Sequence, residues 1–242
     1  MRFNLHIEPR PAGTAETLDI EGNETLVAWF DGLTDCLVLE ARTVVETLRD
    51  NPFDFLWLGD RTLPMQYSPE LRGSLYPYLQ HSSVAALQQY AAEATAGSKG
   101  DPQSFLLHLT GLIHDGCGYI VRPEGDPLPP EETLRRGEGA CRDLAVLFVA
   151  ICRELGVAAR FVSGYGAADG VEENELHAWA EVYLPGGGWR GFDPSAGMAV
   201  ADSHIAVAAG ASPEHAAPVA GGFRGSATSL PIETTLTVRR LD

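Results

Sequence analysis

Residues 137–165, GEGACRDLAVLFVAICRELGVAARFVSGY, followed by residues 176–197, LHAWAEVYLPGGGWRGFDPSAG, carry the pattern that decides the fold. Leu144, Phe148, Ile151 and Leu155 recur at helical spacing, which predicts an amphipathic helix starting just after Gly139. Gly156 stands where a C′ glycine closes such a helix. Residues 159–165 and 176–184 alternate with a period of two and read as strands. Pro185-Gly186-Gly187-Gly188 is a tight turn, and residues 189–192 run back as a hairpin partner. The expected unit is a helix packed against an antiparallel sheet.

Three residues in these segments have a physical reason to carry chemistry. Cys141 lies where a glycine-rich loop enters the helix, and the free N–H groups and positive dipole end there favour a thiolate. The same N–H groups could stabilise an oxyanion. A cysteine packed as a small residue under the loop is the plainer alternative. His177 opens the 176–184 strand on the face of Trp179, Glu181 and Tyr183, where it could take and return a proton. Taken alone, it is more often a satisfied structural histidine. Asp193 ends the return strand just before Pro194, and the hairpin would set it near His177, where a carboxylate fixes the imidazole tautomer. Asp-Pro also initiates turns. The coincidence of all three outweighs the plain reading of each. Arg142 and Asp143, next along the helix, read as a charge pair at its terminus.

Working outward, residues 102–115 form a second amphipathic stripe through Phe105, Leu106, Leu109, Leu112 and Ile113, entered at Asp101-Pro102. Residues 82–94 are also helical in pattern. Residues 122–130 hold four prolines and read as an irregular loop. Toward the N-terminus, residues 2–9 alternate through Phe3, Leu5 and Ile7, and short β-like runs follow at 17–20, 26–30 and 36–41. These predict a small antiparallel sheet, or a sandwich of two, over roughly residues 1–55. In the C-terminal direction, residues 198–222 are an Ala- and Gly-rich stretch with no readable pattern. Residues 233–241 alternate again and are expected to close the sheet.

The whole chain has 242 residues, 45% of them hydrophobic and 21% charged, the balance of a soluble globular protein. Its net charge of -16 repels phosphate backbones and argues against nucleic-acid partners. No apolar run is long enough for a membrane span, the N-terminus lacks a signal-peptide core, and four sparse cysteines fit a reducing compartment. A cytoplasmic protein without a membrane is therefore expected. Cys36, Cys117, Cys141 and Cys152 include no CxxC pair. Cys152 lies eleven residues after Cys141 on one helix, roughly 16 Å away, beyond a shared disulfide or metal. His108 and His114 are six apart on different helix faces, which is not metal-ligand spacing, so no metal and no cofactor are expected.

The two quoted stretches resemble the core motif of the transglutaminase-like superfamily, nearest to bacterial members described as candidate cysteine proteases. The run LDIEGNETLVAWFDG and the following CLVLEARTVV resemble the β-rich N-terminal region of those proteins. The resemblance implies an α+β, papain-like core over residues 81–242, with the nucleophile helix packed on an antiparallel sheet, and a β-rich domain over residues 1–80. It implies Cys141 as nucleophile, His177 as base and acid, and Asp193 as orienter, acting on a protein or peptide amide. Tyr119 and Tyr165 fall where the family carries cleft aromatics, with core packing the alternative. Trp179 is a third substrate-binding candidate, set against hairpin packing alongside Trp189. No Gln precedes Cys141 to supply the second oxyanion donor of papain-like proteases.

Overall fold

A computed structural model describes residues 2–122, 125–166, 176–223 and 233–239. The chain divides into two compact units, Met1–Leu48 and Arg49–Asp242. In the first unit, β1 (Arg2–Glu8) pairs antiparallel with β4 (Val38–Val44), and β2 (Gly13–Leu18) pairs with β3 (Glu24–Trp29). Two two-stranded sheets thus stand where a small sheet or a sandwich was expected over 1–55. The β2–β3 turn is built by Asp19, whose Oδ1 accepts the N–H groups of Glu21 and Asn23 at 2.9 and 2.8 Å. An aspartate bonding its own downstream backbone is a local device, so this turn is visible in the sequence.

The second unit runs α1 (Pro69–Ser74), α2 (Ala85–Ala96), α3 (Pro102–Gly116), β5 (Gly118–Tyr119), α4 (Pro130–Arg136), β6 (Glu138–Gly139), α5 (Cys141–Glu154), β7 (Ala159–Gly166), β8 (Leu176–Leu184), β9 (Gly188–Asp193), β10 (Met198–Ala199) and β11 (His204–Gly210). Five strands form one antiparallel sheet in the order β10-β9-β8-β7-β11. Helix α5 packs on β7 and β8 and is covered by α2, α3 and α4. Leu144, Phe148 and Ile151 are buried as the periodicity predicts. Leu147 and Cys152 are buried too, because a helix covered on several sides needs more than one apolar stripe. Phe148 stacks on Phe192 of β9 at 5.8 Å between centroids, joining helix to hairpin. Burial of each such side chain is worth about 1.5–3 kcal/mol. Gly156 closes α5 at φ 68°, the left-handed conformation that glycine adopts without strain.

Two expectations about the edges of this unit are corrected. The domain line falls after Leu48 rather than near residue 80, because the intervening chain belongs to the second unit. Tyr67 Oη donates to the Tyr183 carbonyl at 2.8 Å and accepts the Ala158 N–H at 3.0 Å, while Met65 N–H bonds the Leu155 carbonyl at 3.0 Å. Met65 is itself part of the buried core. The sheet is closed by β11, not by residues 233–241. Residues 233–239 form no strand, and 240–241 lie outside the described residues. β11 was unreadable because IAVAAG carries small residues on both faces, without the alternation of a half-buried strand. Among the described residues no helix is long and apolar enough to cross a membrane.

Candidate active site

Cys141 is the first residue of α5, with Ala140 as the N-cap in extended conformation. The helix entrance is fixed by Asp143, which is fully buried. Its Oδ2 accepts the Ala140 N–H at 2.8 Å, its Oδ1 accepts the Leu128 N–H at 2.8 Å, and Arg122 Nη1 donates to both oxygens at 2.7 Å. The charge pair expected between Arg142 and Asp143 is therefore Arg122–Asp143. Arg142 instead donates to the Arg122 carbonyl at 2.7 Å. Adjacent helix residues point about 100° apart, so i,i+1 neighbours do not face each other. The long proline-containing loop, not the helix, supplies the cation.

His177 stands at the open end of β8, with its side chain 21% exposed. Its Nε2 lies 2.7 Å from Asp193 Oδ2, and the Cys141 side chain hydrogen-bonds the same imidazole. With Nε2 committed to Asp193, Nδ1 is the nitrogen left for the thiol. The hairpin accounts for the approach: β8 and β9 pair from Leu184↔Gly188 to Ala180↔Phe192, which carries Asp193 back beside the start of β8. Gly164 pairs with His177 across β7 and β8. A Cβ there would strike the Ile205 carbonyl oxygen and the Trp179 ring, so only glycine permits this close packing.

Asp193 is fully buried yet charged, because five donors meet its two oxygens. Oδ1 accepts Ser195 N–H at 2.8 Å, Ser195 Oγ–H at 2.6 Å and Ala196 N–H at 3.1 Å. Oδ2 accepts from His177 and, at 3.0 Å, from Nε2 of His204. Burial raises the pKa of Asp193, but the hydrogen bonds of His177, His204 and Ser195 outweigh it and hold the carboxyl well below the usual range. For His177, burial opposes the charged form, and the Asp193 and Cys141 hydrogen bonds and charges overcome it, giving a pKa raised to about 10. The ligand atoms of His177, Asp193 and His204 all lie within 4.8 Å of one another. Contacts of 2.7 and 3.0 Å are hydrogen-bond lengths, shorter than the roughly 3.3 Å edge between ligands of a tetrahedral zinc ion.

A pH dependence of stability follows. Below about pH 6.5 His177 is protonated in both folded and unfolded chains, and the ion pair with Asp193 contributes fully. As pH rises toward 10, the unfolded chain releases a proton that the folded one keeps, so the stabilisation falls away. Urea unfolding is expected to lose on the order of 3 kcal/mol between pH 6.5 and 10. Most of that slope should vanish in Asp193→Asn, and an unchanged slope would dissolve the pair.

The structure brings Cys141, His177 and Asp193 together and separates the cleft candidates. Tyr119 is 54% exposed on β5, whose backbone pairs with β6 two residues before Cys141, so it lies open beside the nucleophile loop. Tyr165 is half-buried on β7, between Ile205 and Leu176. Trp179 is corrected as a substrate contact: it is 1% exposed and packs with Val162, Ala209 and Val200. The acidic residues Glu172, Glu173 and Glu175 lie outside the described residues. Sequence reading missed Ser195 and His204. Asp193-Pro194-Ser195 carried a signal, since aspartate commonly bonds the N–H two residues on. His204, inside the Ala-rich stretch, carried none.

A model of the transglutaminase-like superfamily matches residues 88–194. Among curated relatives, an uncharacterized protein of Mycobacterium leprae is 29% identical over 57% of this chain and 51% of its own length, so the chain spans about half of that relative. An uncharacterized protein of Mycobacterium bovis is 32% identical over 97% of this chain and 80% of its own length. Among solved structures, a candidate cysteine protease from Cytophaga hutchinsonii superposes with a TM-score of 0.61, at 20% identity, over 90% of this chain and 72% of that one. At that identity the likeness speaks for the fold.

Proposed function

This chain belongs to the transglutaminase-like superfamily, and from that premise we propose that it cleaves a peptide or isopeptide amide through a thioester on Cys141. The observation that carries the reading is the imidazole of His177 held between Cys141 and the buried carboxylate of Asp193. With its pKa raised to about 10, His177 stands as an imidazolium at neutral pH, holding on Nδ1 the proton given up by the Cys141 thiol, and Asp193 stabilises that charge. The thiolate attacks the carbonyl carbon, and the oxyanion forms toward the Cys141 N–H at the positive end of the α5 dipole. Imidazolium then gives its proton to the leaving amine as the C–N bond breaks, leaving a thioester and free amine. Water, deprotonated by His177, attacks the thioester and releases the carboxylic acid and the thiol. Tyr119, open beside the nucleophile loop, and Tyr165 are proposed to line the cleft for a protein or peptide substrate.

Two measurements test this. Burial raises the thiol pKa of Cys117, and raises that of fully buried Cys152 well above the ordinary value, while Cys36 is exposed. Brief iodoacetamide treatment near neutral pH is expected to label Cys141 ahead of the accessible Cys36, although Cys141 is only 8% exposed. Labelling of Cys36 first would count against an activated Cys141. The second measurement supplies a reactive acyl substrate together with a labelled primary amine at millimolar concentration. Water at ~55 M outcompetes such an amine unless the protein concentrates it, so hydrolysis product should dominate. A product carrying mostly the label would make the protein a transamidase.

A further inference from the structure

We propose that His204 is a positioning residue for the Cys141–His177–Asp193 site: a second imidazole donor on Asp193 Oδ2 that aims the carboxylate at His177. The inference rests on the reading of that site given above. His204 is the first residue of β11, the edge strand that pairs with β7 at His204↔Gly166. Its side chain is 6% exposed and both ring nitrogens are engaged, by Ser203 and by Asp193, so it acts through its neighbours.

Its hydrogen bonds place a hydrogen on Nε2. Ser203 Oγ lies 2.9 Å from Nδ1, and Nε2 lies 3.0 Å from Asp193 Oδ2. An anionic carboxylate only accepts, so Nε2 bears a hydrogen and donates it to Asp193. Ser203 holds the ring from its other nitrogen. A carboxylate oxygen has two lone pairs, and here His204 takes one and His177 the other. Ser195 and Ala196 tie down Oδ1, so with His204 in place neither oxygen can swing away from His177. The ring is seated against the Trp179 indole at 5.0 Å and 74°, which gives Trp179 a role in support of the site in place of substrate contact. Preorganisation of this kind matters because a carboxylate free to rotate would hold the imidazole only part of the time.

A space-filling role for His204 makes different predictions. His204→Phe keeps a ring against Trp179 and removes the donor, whereas His204→Gln places an N–H close to the Nε2 position. The readouts are the downfield 1H NMR resonance of the His177 ring N–H and the rate of Cys141 alkylation. In His204→Phe the resonance should be lost or move upfield, and alkylation should slow about tenfold. His204→Gln should restore the rate to within about threefold. In an Asp193→Asn background, His204→Phe should slow alkylation no further, since groups acting as one unit are not additive. The proposal is overturned if His204→Phe keeps both resonance and rate, if His204→Gln is as impaired as His204→Phe, or if the His204→Phe effect persists undiminished in Asp193→Asn. A wild-type Cys141 no faster than Cys36 would instead undo the proposed amide cleavage, and the resonance would still decide the role of His204.

Discussion

Replacing Cys141 with alanine is expected to lower amide cleavage by at least about four orders of magnitude while leaving the protein folded. The proposed mechanism passes through a bond between Cys141 Sγ and the substrate acyl carbon, and alanine cannot form it. The fold should tolerate the change. Cys141 occupies the first position of α5, where alanine is a good helix former, and the helix entrance is held by Asp143 and Arg122. Loss of one small buried sulfur should cost about 1 kcal/mol. Turnover of a chromogenic peptide amide, with intact-mass detection of the acyl adduct, checks both parts. The wild-type protein should show the adduct under rapid quench, and Cys141→Ala should show none. Cleavage by Cys141→Ala at near the wild-type rate would mean that another group is the nucleophile.

Asp193→Asn should slow turnover by about two to four orders of magnitude, and the structure adds that it should also destabilise the protein. Asn is isosteric with Asp, so the substitution changes charge and donors rather than shape. The five donors around Asp193 make that change costly. If the Asn NH2 faces Ser195 and Ala196, it opposes two backbone N–H groups and must displace a hydroxyl donor. If it faces the histidines, both imidazoles must turn their lone pairs toward it. His177 would then carry its proton on Nδ1, where the thiol proton has to go. Either arrangement leaves buried donors unmatched, at about 3 kcal/mol of stability. The measurement pairs kcat on a peptide amide with urea unfolding of the same variant. Near-normal turnover would remove Asp193 from the site, and unchanged stability would contradict the five-donor arrangement.

How much of this was legible in the residues depended on the range of the interaction. Helix α5, its glycine stop, α3 with the Asp101 cap, and the β8–β9 hairpin follow from periodicities and caps that act within a few residues. The proximity of Cys141, His177 and Asp193 was legible for the same reason. Cys141 is placed by a helix terminus, and Asp193 meets His177 only sixteen residues away through one hairpin. Asp101 shows how local such a signal is: its side chain accepts the Ser104 N–H at 2.8 Å, three residues on.

The remaining features depend on pairings with no local periodic signature. That Arg122 and not Arg142 neutralises Asp143 is decided by a loop folding back across twenty-one residues. Residues 49–67 join the second unit through bonds such as Tyr67 to Tyr183, 116 residues apart. The Ala-rich 204–210 segment becomes an edge strand because β7 offers it an unpaired backbone, and backbone hydrogen bonding is blind to side-chain identity. That docking brings His204 onto Asp193. The sequence by itself determined α3, α5, the β8–β9 hairpin and the three candidate groups Cys141, His177 and Asp193, because helix caps, strand alternation and hairpin turns are written in neighbouring residues. Tertiary structure alone decided where the unit ends, what closes the sheet and which side chains hold the buried carboxylate in place, because those contacts exist only once distant segments share a core.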